Sequence, residues 1–265
     1  MNKYKFNKYA RVFVTAILLI SAACLIAIIT LCVSGAKIDL WDKSPPENDE
    51  APLEQSSRLG RTPDYGQNYI DRMIFVCDTS ISGLEHSGAL DATQGRLQIW
   101  SGADGSLPLD YSIDKSHIVY PETGESLTVA EAAEIKRPEY IVITVGIENG
   151  VAYCGEEKFK SYYSKLIDSL IESSPASKII LQSVFPVSEE YEEKHPSLTN
   201  DKITRANLWI EELASEKDLK YLDTSSALKS DSGALDKAYD SGDGLHLNQS
   251  GYLAMLEYIR THGYR

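Results

Sequence analysis

The sequence predicts an α/β fold: a doubly wound domain built on a five-stranded parallel sheet, preceded by one transmembrane helix. Three observations predict it. Five short apolar runs alternate with helical patterns from Met73 to the C-terminus, as in a parallel sheet covered on both faces. Polar and turn-forming residues follow the ends of several runs, where ligands gather in such folds. Ahead of them, Val12 to Val33 is an uncharged run of 22 residues in a chain of 265.

At about 1.5 Å per residue, that run matches a hydrocarbon core roughly 30 Å thick. Lys3, Lys5, Lys8 and Arg11 precede it, whereas Lys37 beyond it stands near Asp39 and Asp42. The positive-inside rule therefore reads residues 1–11 as a cytoplasmic tail, 12–33 as the span and the remainder as extracellular. A cleaved signal peptide is the rival, because Val33-Ser34-Gly35 ends in small residues. The run exceeds the usual apolar core of about 7 to 15 residues, which favours an uncleaved anchor. Ser21-Ala22-Ala23-Cys24 looks like a lipoprotein box, but the apolar run continues past Cys24, against lipidation there. Residues 34–68 read as a linker, rich from Ile38 onward in Pro, Glu, Asp, Ser and Gln, with no sustained apolar period.

The domain proper spans 69–265. Met73 to Val76, Leu97 to Ile99, Tyr140 to Val145, Lys178 to Gln182 and Lys220 to Leu222 read as strands. Val129 to Ile135, Phe159 to Glu172, Ile203 to Glu216 and Ser250 to His262 read as helices. Phe159, Tyr163, Leu166, Ile167, Leu170 and Ile171 are spaced for one buried face, so those aromatics belong to the core. Asn248 suits the cap of the last helix better than it suits a glycosylation sequon. Two stretches lack a period. Asp104 to Thr128, with Tyr111, His117 and Tyr120, reads either as a lid over a pocket or as plain surface. Phe185 to Asn200, with four glutamates, reads as a solvated loop at the same rim.

Lys and Arg number 26 against 39 Asp and Glu, a net charge of −13. The four tail cations are the only charges before Lys37, so −13 less those four leaves −17 beyond the span. Such a surface repels nucleic acid and anionic lipid, and names no partner by itself. Cys24 and Cys32 fall in the apolar run, leaving Cys77 and Cys154 in the domain. In a flavodoxin-like strand order the strands before them are neighbours, so the two either pair in an oxidising setting or stand as separate thiols. No Cys and His spacing suits zinc, and no Walker loop or strand-borne Gly-x-Gly-x-x-Gly occurs, so no metal and no cofactor are expected.

The chemistry concentrates at Asp243-Gly244-Leu245-His246, where a carboxylate and an imidazole three residues apart flank a glycine that lets the backbone turn. Alone, that spacing also suits a helix cap beside a loop histidine. Phe75 to Leu84, containing Cys77-Asp78-Thr79-Ser80-Ile81-Ser82-Gly83, places small polar residues where a strand turns into a helix and exposes hydroxyls. Thr79, Gly105 and Asn149 each follow a strand end. His86, His117, His195 and His262 have no carboxylate at matching spacing.

On these residues the chain resembles the SGNH or GDSL hydrolases. Cys77-Asp78-Thr79 with Gly83 falls on the family's first block, Gly-Asp-Ser followed by a Gly. Gly102-Ala103-Asp104-Gly105 resembles the second block, and Gly146-Ile147-Glu148-Asn149 the third, normally Gly-x-Asn-Asp. Asp243 and His246 fall on the last block, Asp-x-x-His, and the resemblance covers Met73 to Arg265. It implies an SGNH hydrolase-like fold with a triad of Thr79, Asp243 and His246, and with Gly105 and Asn149 receiving the oxyanion. The departures bear on rate. Thr79 stands where the family has Ser, Cys77 where it has Gly, and Glu148 where it has Asn, with Asn149 one residue late. Threonine's methyl restricts χ1 and crowds the attack, and a missing oxyanion donor costs about 100- to 1000-fold. Glu148 facing the pocket would oppose the oxyanion.

The expectation is a single-pass protein of the cell membrane, N-terminus cytoplasmic, whose extracellular domain is an esterase for acyl esters, O-acetyl among them, on small molecules or carbohydrate. The alternative is a catalytically weak or inactive relative that serves as an extracellular binding or scaffold module. Ser80 or Ser82 as nucleophile requires a shift of the elbow and ranks third.

Overall fold

A computed structural model describes residues 56–90, 95–147 and 149–265. The expected tail, the expected span with Cys24 and Cys32, most of the linker and Glu148 lie outside the described residues. Among the described residues, no helix is long and apolar enough to cross a membrane.

The strands in chain order are β1 (Met73–Cys77), β2 (Ile99–Trp100), β3 (His117–Val119), β4 (Ser126–Thr128), β5 (Tyr140–Thr144), β6 (Lys178–Gln182) and β7 (Lys220–Leu222). Five of them form one parallel sheet in the order β2-β1-β5-β6-β7, with Cys77 opposite Thr144 and Val76 opposite Trp100. That is the expected flavodoxin-like order, and the strand sequence reverses between β1 and β5. β3 and β4 form a separate antiparallel hairpin.

The longer helices are α1 (Val129–Lys136), α2 (Glu156–Ser173), α3 (Glu189–Lys194), α4 (Asn200–Glu216) and α5 (Gln249–Thr261). Alternate residues of each strand face opposite sides. Ile74, Val76, Ile141, Ile143 and Leu181 pack with Phe159, Leu166 and Ile167 of α2 and Ile210 of α4. Met73, Phe75, Val142 and Ile180 pack with Tyr252, Met255 and Ile259 of α5. Both faces of the sheet are therefore dry, which explains why its strands read as unbroken apolar runs. Side chains at the helix entrances satisfy the free backbone donors: Thr128 and Glu131 form a capping box on α1, and Asn248 accepts the Gly251 N–H at the start of α5.

Four expectations change. Leu97 belongs to a helical turn, Gly95–Gln98, that runs into β2; the buried Gln98 amide reaches the carbonyls of Ile70 at 2.6 Å and Met73 at 2.9 Å and holds that turn. The linker ends before Asn68. The Leu59 N–H donates to the Tyr221 carbonyl at 2.8 Å and Arg58 pairs with Glu211 and Asp223, so this stretch lines the outer edge of β7. Asp104 to Thr128 is not a lid. Leu107, Leu109, Ile113, Ile118 and Tyr120 are each at most 2 % exposed, so the segment is part of the core. Phe185 to Asn200 is anchored, with α3 inside it, because the amides of Asn207 and Asn200 each bond both the N–H and the carbonyl of Val184 and Val187 respectively.

Candidate active site

β1 ends at Cys77, and the chain enters a helical turn at Thr79–Ser82. Asp78 builds this elbow. It is 1 % exposed; Oδ1 accepts the Ser80 N–H at 3.2 Å and the Ser80 hydroxyl at 2.8 Å. Oδ2 accepts the N–H groups of Gly146 at 2.8 Å and Ile147 at 2.9 Å. One carboxylate thus clamps the turn after β1 to the turn after β5, across the reversal of strand order where doubly wound folds bind their ligands. Of the hydroxyls here, that of Ser80 is committed to Asp78 and that of Ser82 to the Thr79 carbonyl at 3.1 Å. Thr79 is partly exposed and its hydroxyl is in neither bond.

The loop before α5 is equally constrained. Asp240 Oδ1 accepts the N–H groups of Gly242 at 2.8 Å and Gly244 at 2.9 Å. Asp243 Oδ1 accepts those of Leu245 and His246, both at 2.9 Å, and Oδ2 lies 2.6 Å from His246 Nδ1. Gly244 sits at φ +81°, and a Cβ there would run into Ser188 Oγ and lie 2.8 Å from Tyr191 Cβ, so the position requires glycine. Burial pushes the Asp243 carboxyl up, but the two N–H groups and the imidazole outweigh it and hold the pKa at about 2. An ionised carboxylate only accepts, so Nδ1 carries a proton toward it and the ring is held in one orientation with Nε2 turned away from Asp243.

Helix α5 ties this loop to the elbow. Tyr252, in its first turn, places its hydroxyl 2.7 Å from where a Cβ on residue 83 would stand, and Leu247 and Tyr252 share a core cluster with Cys77, Ile81 and Leu84. The expected pair Thr79 and Asp243–His246 thus lies on two turns packed through one helix. Cys77 and Cys154 are free thiols; burial pushes the Cys77 thiol well up.

The two expected oxyanion residues fare differently. Gly105 spends its N–H on the Gly102 carbonyl at 2.9 Å, closing a tight turn, so that donor is not open to a substrate in this conformation. The residue instead packs against Ser82, whose Oγ would lie 2.8 Å from a Cβ at 105. Asn149 is exposed, at φ 57°, and its side chain makes no capping bond to the turn Gly150–Tyr153. It opens onto a hollow of about 340 Å³ shared with Ile147, Tyr153, Tyr191 and His195. A larger hollow of about 650 Å³ lies on the other flank, between Ser82, Gly83, Arg96 and Gly105, and neither hollow is lined by Thr79 or His246. Among the described residues, no group of three or more His, Cys, Asp or Glu is placed to hold a metal ion.

Sequence reasoning missed the roles of Asp78, Asp240 and Tyr252. Asp240 was detectable from Asp240-Ser241-Gly242, a turn in which an aspartate bonds the backbone two residues on. Tyr252 carried no signal beyond its helical spacing.

The fold and these turns define a flavodoxin-like α/β protein with a hydrogen-bonded Asp–His pair on a loop that one helix joins to a strand-to-helix elbow. The sequence pattern of the GDSL-like lipase/acylhydrolase family matches residues 112–254, more than half of the chain, and the protein belongs to that family. The matched stretch contains Asn149, Asp243 and His246 but begins after Thr79 and Gly105. No curated protein matches the chain. Among solved structures, a GDSL-like lipase from Bacteroides thetaiotaomicron is 20% identical over 78% of this chain and 86% of its own, with a TM-score of 0.48. A catalytic mutant of an acetylxylan esterase from Geobacillus stearothermophilus is 18% identical over 73% and 94%, with a TM-score of 0.41. A carbohydrate acetylesterase from Sinorhizobium meliloti is 12% identical over 71% and 96%, with a TM-score of 0.44.

Proposed function

We propose that this chain is a carboxylic ester hydrolase, held at the outer face of the cell membrane by Val12 to Val33, that cleaves acyl esters of small molecules or carbohydrate, O-acetyl esters among them. The carrying observation is the 2.6 Å contact between His246 Nδ1 and Asp243 Oδ2, which orients the imidazole on the loop that α5 joins to the elbow. Membership of an acylhydrolase family supports the reaction class. In this reading Thr79 Oγ attacks the ester carbonyl as His246 takes its proton, and Asp243 stabilises the imidazolium. The Asn149 amide and the Thr79 N–H receive the oxyanion. The alcohol leaves with the proton from His246, and water repeats the sequence on the acyl-threonine.

A second reading, a weakened relative that binds more than it turns over, is favoured by the commitment of the Gly105 N–H to Gly102 and by the Thr79 methyl. The full chain in mild detergent, assayed on short-chain nitrophenyl esters beside Thr79→Ser, Thr79→Ala and His246→Ala, separates the two. Parental turnover lost in both alanine variants supports the hydrolase. A silent parent with a strong gain in Thr79→Ser identifies the weakened site. Turnover that survives Thr79→Ala removes Thr79 as the nucleophile.

A further inference from the structure

The hollow beside Asn149 has a composition of its own. Tyr153 is 74% exposed, on a turn that follows directly from Asn149. Across the hollow, the rings of Tyr191 and His195 are stacked, with centroids 4.2 Å apart and planes 29° from parallel. Asn149 and Ser197 line the same hollow. Aromatic faces grouped around one hollow offer a flat, partly apolar ligand a surface to stack on.

The chemistry of the walls selects among ligands. Neither Lys nor Arg is among the described residues lining the hollow, and the chain carries a net charge of −13, so an anionic ligand has no counter-charge there. An acyl chain prefers an enclosed apolar slot, whereas this hollow is open and interleaves ring carbon with amide, imidazole and hydroxyl groups. A neutral sugar ring fits both features, presenting C–H faces to aromatic rings and hydroxyls to the polar groups between them. Tyr191 is also fixed by what surrounds it: α3 starts on the Ser188 side-chain cap, and the Asp243 loop packs on Tyr191 Cβ through Gly244. The aromatic wall and the Asp–His pair are therefore built on one another.

We infer that the hollow between Tyr153 and the Tyr191–His195 stack is a glycan subsite that seats a neutral sugar ring of the ester substrate, placing its acylated hydroxyl toward Asn149. The inference rests on the hydrolase reading for its place in turnover, but the binding half stands without it. Two measurements keep the failures apart. The first is the selectivity of the full chain in mild detergent, taken as the ratio of kcat/KM for an acetylated β-1,4-xylotriose to that for nitrophenyl acetate. Loss of an aromatic face lowers this ratio about tenfold in Tyr153→Ala, and Tyr153→Phe, which keeps the ring, restores most of it. A ratio unchanged in Tyr153→Ala overturns the subsite while leaving the esterase intact. The second is binding of unacetylated xylotriose and N-acetylglucosamine trimer to the His246→Ala chain, followed by calorimetry. Binding of either trisaccharide that weakens about tenfold in Tyr153→Ala supports the subsite even in a chain that hydrolyses no ester. Absence of binding by both overturns it.

Discussion

The Tyr252 hydroxyl stands 2.7 Å from the position a Cβ on residue 83 would take, so the helix after the histidine loop and the helical turn after β1 meet at a glycine. The hydroxyl is buried without a hydrogen-bond partner among the described residues, and burial, with Cys77 and Asp243 nearby, pushes its pKa up and keeps it neutral. Gly83→Ala forces that ring to shift inside a packed core, at a cost of about 1 to 3 kcal/mol. Tyr252→Phe removes a polar atom that satisfies nothing, so it is expected to be neutral or slightly stabilising. In the Tyr252→Phe background the Gly83→Ala penalty then falls, and a double-mutant cycle read by denaturant midpoints gives a coupling of at least about 0.5 kcal/mol. Additive effects would show that the two residues do not touch.

Asp78 is the most heavily bonded side chain of the elbow, and its loss has a definite partner set. Asp78→Asn keeps one acceptor oxygen but turns a second acceptor into a donor facing the N–H groups of Gly146 and Ile147. Buried donors left without an acceptor cost about 1 to 3 kcal/mol, and more where the lost acceptor was charged, so the variant is expected to lose roughly 2 to 4 kcal/mol. The midpoint of urea unfolding should fall with an unchanged slope. A loss below about 0.5 kcal/mol would mean that the clamp does not hold the two turns.

The parts of this architecture that were legible in the sequence are those whose signal is local. Lys178–Gln182 and Lys220–Leu222 read correctly because strands buried on both faces become uninterrupted apolar runs. Asp243 and His246 read as a pair because three residues and one glycine suffice to bring them together. The helices began earlier than periodicity suggested, at Glu156 and Asn200, because first-turn residues are set by caps and solvent and not by the buried stripe. What stayed hidden depends on distant partners. Leu107, Leu109 and Ile113 are core residues without a period, Gln98 holds backbone 25 and 28 residues away, and Arg58 docks on residues 153 and 165 positions later. Gly105 matched a motif by identity, yet where its N–H points is decided by the turn it closes with Gly102.

The Asp243 carboxyl makes a pH prediction with a definite sign. Its folded pKa of about 2 lies below the ordinary 3.8, so folding favours the ionised form. The contribution to stability is fully present above about pH 4 and is lost as the pH falls toward 2. The difference in unfolding midpoint between the parent and Asp243→Asn should therefore shrink as the pH falls below about 4. Because the carboxylate is ionised throughout the neutral range, any acid limb in the rate above pH 5 belongs to another group. A difference that instead grows as the pH falls would reverse the assignment.

Asn149 separates a chemical role from a conformational one. Its backbone is left-handed at φ 57°, which Asn and Gly tolerate and Ala does not, at a cost of about 1 kcal/mol or slightly more. Its side chain bonds no cap, so removing the amide by itself leaves stability nearly unchanged. Asn149→Gly therefore deletes the proposed oxyanion donor without strain, and Asn149→Ala deletes it with strain. On nitrophenyl esters both are expected to lose about 100- to 1000-fold in kcat with little change in KM, as befits an interaction made only in the transition state. Only the alanine variant should also unfold at lower denaturant. Parental kcat in Asn149→Gly would take the amide out of the oxyanion site, and would leave the Thr79 N–H to stabilise the charge alone.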